Sequence, residues 1–289
     1  MSTPNPVPIP VPSPPTPEVI SGINVMLMGG SGSGKTHSLA TLCDAGLEVF
    51  VLSTEPGISE VLGNIPDAKL HWHYIPSFSP TWDELIDSAN KVNTLTFKAL
   101  ADMPGINREK YRQFIDVYKT LANFKCDRCG REFGAVDSWD ASRAIVVDSL
   151  SGLSIMAMNL IVGTKPTKAP GEWGTAMDNL SRLIQKLCFD TRAHFILTAH
   201  LEREVNEVTG SVQNMASTLG RKLAPVLPRF FSDVIVSERV GSAFTWSTAA
   251  PNSDTKTRNL SIGDKLTPSF VPPIAAWKAK QNKGKPSNG

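Results

Sequence analysis

The run Gly29-Gly30-Ser31-Gly32-Ser33-Gly34-Lys35-Thr36 constrains this chain more than any other feature. It fits the pattern Gly-x-x-x-x-Gly-Lys-Thr without a mismatch. Glycines let successive backbone N–H groups turn into one concavity, a nest for phosphate oxygens. Lys35 brings a positive charge to the phosphates, and the Thr36 hydroxyl can ligate Mg²⁺. The helix that begins here, with His37 next in line, adds its N-terminal partial charge. The context suits such a site: residues 23–28 read as a strand, and residues 37–45 as a helix stopped by Gly46.

The 289 residues suffice for one large α/β domain or two small ones. Hydrophobic content of 41% and charged content of 19% suit a globular chain. A net charge of +2 leaves any nucleic-acid affinity to local patches. Residues 1–17 are crowded with proline and lack the basic start and apolar centre of a signal peptide. They predict an extended, disordered arm over residues 1–19. The longest apolar stretch, 153–162, is too short to span a bilayer, so no membrane segment is expected. Four cysteines without a secretory signal point to a reducing compartment, the cytoplasm.

From residue 20 to 264 strand and helix signals alternate, the mark of a parallel sheet with helices on both faces. Strands are predicted over 48–53, 70–75, 143–148 and 195–199, with short ones near 234–236, 243–247 and 257–261. Residues 76–140 read as a largely helical insertion, with helices over 82–100 and 108–124. It carries the turn Cys126-Asp127-Arg128-Cys129-Gly130. Further helices are predicted over 151–160 and 173–189, and a polar loop from 201 to about 218. No acid follows Asp264, and residues 265–289, with Lys278, Lys280, Lys283 and Lys285, read as a basic, flexible tail.

Three polar residues close predicted strands, where an open parallel sheet meets its ligand. Asp148 can hold Mg²⁺ opposite Thr36. Glu55 can polarise a water for attack on a γ-phosphate. His200 can touch that phosphate and report its loss to the loop that follows.

In their order, the segments Gly29 to Thr36, Thr54-Glu55, Val146-Val147-Asp148-Ser149-Leu150 and Leu197-Thr198-Ala199-His200 resemble the core of RecA-type ATPases. The closer resemblance is to phage-encoded, core-only RecA-like ATPases of single-strand annealing and recombination. The segments Thr209-Gly210, Gly220-Arg221-Lys222-Leu223-Ala224-Pro225 and Lys256-Thr257-Arg258-Asn259 also carry it. The resemblance spans about residues 23–262. It implies an α/β RecA-like P-loop fold that binds and hydrolyses ATP with Mg²⁺ on single-stranded DNA. Glu55 is then the base and His200 the sensor, where RecA has glutamine. A homo-oligomer is implied, with a single-strand-binding protein as a further partner and the host cytoplasm as location.

On the predicted strand at 257–261, Lys256 and Arg258 share a face. Either they reach the nucleotide of a neighbouring subunit, as trans-acting cations do in RecA-like assemblies, or they form a solvated basic pair. Arg203, Arg221, Lys222 and Arg229 offer phosphate contacts for salt-sensitive DNA binding. The pair Cys126 and Cys129 is either half of a zinc site, with His71 and His73 as further ligands, or two free thiols. Two other functions fit the same motifs: a P-loop motor or switch acting on protein in virion assembly, and a nucleotide-dependent annealing module with little turnover.

Overall fold

Short apolar runs of the sequence become the strands of one central sheet, while the longest, 153–162, lies in a buried helix. The computed structural model describes residues 21–205 and 210–283, so the expected arm over 1–19 and Lys285 lie outside the described residues. Strand β1 (Asn24–Gly29) enters the glycine loop, followed by helices α1 (Lys35–Ser38) and α2 (Ala40–Asp44), β2 (Glu48–Ser53), α3 (Ile58–Leu62) and β3 (Leu70–Tyr74). Helices α4 (Trp82–Thr94), α5 (Phe97–Asp102) and α6 (Gln113–Ala122) lead to β4 (Arg143–Asp148). Then come α7 (Leu150–Val162), α8 (Pro170–Phe189), β5 (His194–Val205), β6 (Val212–Ala216), α9 (Gly220–Leu223), β7 (Asp233–Val240), β8 (Ala243–Ser247) and α10 (Val271–Lys283).

The sheet runs β3-β2-β4-β5-β1-β7-β8, with β6 paired to β5. Strands β1 to β5 and β7 are parallel, and β6 and β8 are antiparallel additions. Alternate side chains feed two apolar layers. Met26, Phe50, Ile145 and Phe195 face α6, α7 and α8. Leu27, Val51, Val146 and Ile196 face α2, α3 and α10. Because the strands are parallel, the carboxyl ends of β1, β2, β4 and β5 open on one edge of the sheet.

Four expectations are corrected. The stretch 82–100 breaks into α4 and α5: the Thr96 hydroxyl accepts the Ala99 N–H and starts a new helix. The polar loop after His200 is a β-hairpin, with Leu201↔Ala216 and Val205↔Val212 in register. A ribbon with solvent on both faces needs no apolar alternation, so its strands read as loop. Residues 257–261 form no strand; Lys256 makes one bridge to Val234, and the next residues wrap Asp233.

The fourth is the basic tail, which is a helix over Val271–Lys283. Phe270 and Ile274 are buried against α2 and Trp246, and full burial stabilises by about 1.5–3 kcal/mol per side chain. Among the described residues, no helix is long and apolar enough to cross a membrane.

Candidate active site

Loop 29–36 leaves β1 at its carboxyl end and enters α1. Gly34 takes φ 85°, and a Cβ there would meet the Phe244 ring at 2.9 Å, so only glycine fits. A Cβ at Gly30 would meet open space in the described chain, so any crowding there would come from a bound phosphate. Ser31 and Gly32 form the exposed crest, while the Ser33 carbonyl accepts the Ser237 hydroxyl at 2.8 Å and ties the loop to β7. His37 is exposed on α1.

Lys35 is only 7% exposed, and its Nζ donates to the Gly29 and Gly30 carbonyls, at 2.9 Å each. Burial lowers its pKa, and the charges of Asp148 and Glu55 oppose that shift. Asp148 is 5% exposed at the end of β4. Its Oδ2 accepts the Thr36 hydroxyl at 2.8 Å, and its Oδ1 accepts the Thr198 hydroxyl. Burial pushes its carboxyl pKa up, against those two hydrogen bonds. Thr36 and Asp148 thus present adjacent hard oxygen donors, a set that fits Mg²⁺.

Glu55 follows β2. Its Oε1 accepts the Ser149 hydroxyl and lies 3.2 Å from His200 Nε2. Strand register explains the meeting: Ser53 pairs with Asp148, and Gly29 pairs with His200. The structure therefore brings Lys35, Thr36, Glu55, Asp148 and His200 together from four strands.

Three hydroxyl residues of this cluster were missed from sequence: Thr54, Ser149 and Thr198. Thr54 Oγ1 accepts the Ser149 N–H at 2.9 Å and binds the end of β2 to the end of β4. The Asp148–Ser149 peptide is cis. A Cβ at Gly152 would lie 2.1 Å from Thr54 Oγ1, so this first turn of α7 needs glycine. Their signal was position, since Thr54 precedes Glu55 and Ser149 follows Asp148.

The remaining expected residues lie elsewhere. Lys256 and Arg258 sit at the amino end of β7, where Asp233 pairs with Val25. Four strand residues, about 13 Å, separate that end from Ser237 beside the glycine loop. Arg203 lines a groove of about 720 Å³ between α7, the start of α8 and the hairpin. Lys168 and Trp173 line it too, with Lys168 Nζ 5.5 Å from the Trp173 ring centre. Lys222 is exposed on α9, whose Gly220 lines the same groove; the side chain of Arg221 lies outside the described residues. Arg229 precedes Phe230, which packs on Phe189 at the far end of α8, about 24 Å along the helix from Trp173.

Cys126 and Cys129 are free thiols at the edge of β3, far in sequence from the glycine loop. Burial pushes the Cys126 thiol up, while backbone N–H groups of Cys129, Trp72 and Arg128 favour its thiolate. Burial also opposes ionisation of Cys129, but the Arg131 and Cys126 hydrogen bonds and the Arg131 charge together outweigh it and lower that thiol.

A family model described as an AAA domain matches residues 21–259. No curated protein matches the chain.

Proposed function

The chain belongs to this AAA-domain family of nucleotide-binding P-loop ATPases, and on that premise we propose that it is a RecA-like ATPase acting on single-stranded DNA in phage recombination, annealing or repair. ATP bound with Mg²⁺ supplies a γ-phosphate open to attack by water. Lys35 and the loop amides hold its phosphates, and Thr36 and Asp148 hold the cation. Glu55 is the base, oriented by the Ser149 hydroxyl. His200 shares Glu55 Oε1 and senses the phosphate.

One observation carries the coupling to DNA. Strand β5 runs without a break from the phosphate edge into the hairpin: His200 pairs with Gly29, and Leu201 already pairs with Ala216. The His200 carbonyl also accepts the Ser217 N–H at 2.7 Å. Any shift of His200 therefore moves the hairpin whose Arg203 lines the groove. There Arg203 and Lys168 offer charge to phosphates, and Trp173 offers a ring to a base. Glu202 and Glu204 line the same groove, so a strand would follow its Lys168–Arg203 side; Lys222 on α9 adds a cation nearby, and Arg229 would meet the strand only beyond the far end of α8. In this reading Lys256 and Arg258, which lie at the opposite end of the sheet from their own loop, serve the nucleotide of a neighbouring copy. In the test of that arrangement, Arg258→Ala loses hydrolysis, and mixing it with Lys35→Ala restores part of it.

The deciding experiment is ATP hydrolysis with and without single-stranded DNA over a range of salt, with Lys35→Ala as the blank. Stimulation by DNA that fades with salt is expected; hydrolysis indifferent to DNA overturns the proposal. A second reading, an ATPase that acts on a protein partner, is favoured by α4. That helix buries no residue, and Trp82 and Ile86 on it, like Phe97 beyond it, are exposed. DNA-indifferent hydrolysis would select this reading.

A further inference from the structure

At the edge of β3, away from the phosphate site, three metal-binding side chains converge. Cys126 and Cys129 occupy a tight turn closed by Gly130 N–H to the Cys126 carbonyl and Cys126 N–H to the Arg131 carbonyl, both 2.9 Å. Gly130 takes φ 70°, which lets the chain reverse just after the second thiol. The turn docks on the open edge of β3. Asp127 N–H donates to the Trp72 carbonyl at 2.8 Å, and the Asp127 carboxylate takes the Tyr74 N–H and His73 Nδ1, each at 2.7 Å. That docking brings His71 to the thiols. The ligand atoms of His71, Cys126 and Cys129 all lie within 4.8 Å of one another.

The spacing suits one tetrahedral ion. Sulfur and nitrogen ligands at ordinary zinc distances stand about 3.6 Å apart across a tetrahedral angle. The Cys129 Sγ to His71 Nδ1 separation is 3.7 Å. The other ring nitrogen, Nε2, lies 3.3 Å from Glu48 Oε1, within ion-pair distance though not aligned as a hydrogen bond. Glu48 is itself held by Arg143 Nε at 2.8 Å. A carboxylate behind a ligating imidazole is the usual support of a metal-bound histidine. His71 is 0% exposed and stacks on Phe50, with Phe133 also against it. Its Nε2 is buried without an aligned partner, and its Nδ1 meets only the weak Cys129 thiol, a poor return for burying an imidazole.

We propose that this chain binds a zinc ion through Cys126 Sγ, Cys129 Sγ and His71 Nδ1, with water as the fourth ligand on the more exposed, Cys129 side. Two thiol protons leave to solvent as two Zn–S bonds form, so the ion and its two thiolates are neutral together. A neutral site can be buried where a bare cation cannot. The thiolate–imidazole set selects zinc over Mg²⁺, so the site does not compete for the cation at Asp148. Its role is to clip the turn to β3. His73, expected as a further ligand, is taken by Asp127.

The test uses the full chain, purified without chelator and analysed for metal by plasma mass spectrometry. About one zinc per chain is expected, lost in Cys129→Ser and kept in His73→Gln. Cobalt(II) added to the chelator-stripped protein gives thiolate-to-cobalt charge-transfer bands in wild type and His73→Gln, and none in Cys129→Ser. Retention of metal and of these bands by Cys129→Ser overturns the proposal, as does a wild type with neither. A readout that needs no variant is alkylation of Cys129, mapped by mass spectrometry. Chelator is expected to speed it at least tenfold, and an unchanged rate overturns the site.

Discussion

Two aspartates lie buried at opposite ends of one sheet, and their surroundings act in opposite directions. Asp233, at the amino end of β7, is 0% exposed. Its Oδ1 accepts the Thr257 hydroxyl at 2.8 Å and the N–H groups of Arg258 and Asn259 at 2.8 and 2.9 Å. Its Oδ2 accepts the Ser232 hydroxyl and Asn259 Nδ2, both at 2.7 Å. Burial alone would raise its pKa, but these donors outweigh burial and lower it. Asp148, at the carboxyl end of β4, has two hydroxyls, and its pKa goes up. A saturated carboxylate builds a turn. An undersaturated one at the ligand edge keeps lone pairs for a cation. Burial of an acid does not separate the two roles; the number of donors around it does.

The largest expected effect is that of Asp148→Asn, a fall in ATP hydrolysis of roughly 100-fold or more. Melting of the nucleotide-free variant is expected at an unchanged or higher Tm, because the charge it removes is disfavoured by burial. A stability loss as large as that of an Asp233 variant would break the comparison. Asp233→Asn is expected to cost about 2–3 kcal/mol in urea unfolding, since it turns an acceptor into a donor facing donors. Its folded fraction is expected to bind nucleotide within about twofold of wild type, because the phosphate-binding residues lie at the other end of the sheet.

Acid melts sharpen the contrast with smaller effects. The depressed folded pKa of Asp233 gives stability that is present above the unfolded value, about 4, and is lost as pH falls through the lower folded value. Asp148 has the opposite sign. Its ionised form costs stability at neutral pH, and protonation relieves that cost as pH falls through its raised folded value. Urea titrations across that range are expected to show a shallower acid loss in Asp233→Asn and a steeper one in Asp148→Asn. The smallest effect is that of Arg258→Ala on the fold, within about 0.5 kcal/mol by urea unfolding, because its backbone N–H rather than its guanidinium serves Asp233.

The glycine loop and Asp148 were legible in the sequence because their signals are local: spacing, an apolar run and an acid at its end. The meeting of Glu55 with Ser149 and His200 was not, because 94 and 145 residues separate the partners and only strand register joins them. Lys256 and Arg258 were misread as strand residues because alternation of two cations resembles a strand face, while the organising acid, Asp233, lies more than twenty residues earlier. The C-terminal helix was hidden by its lysines. Its signal was apolar spacing, with Phe270, Ile274 and Trp277 falling at intervals of four and three. His71 and His73 were noticed as a pair, but only the docked turn decides which of them faces the thiols.

The helix α10 has a consequence for where this protein can be cut. The Phe270 N–H just before it donates to Thr41 Oγ1 on α2 at 2.8 Å, its Lys278 donates to the Ala45 carbonyl at 3.0 Å, and its Trp277 indole donates to the Ser21 carbonyl at 2.9 Å. A fragment ending at residue 259, where the family match stops, would retain every phosphate-binding residue. It would also leave Leu42 and Trp246 open to water, with the helix behind the glycine loop resting on an unfinished floor. A piece that keeps the packing beneath the motif therefore extends through Ile274 to Trp277.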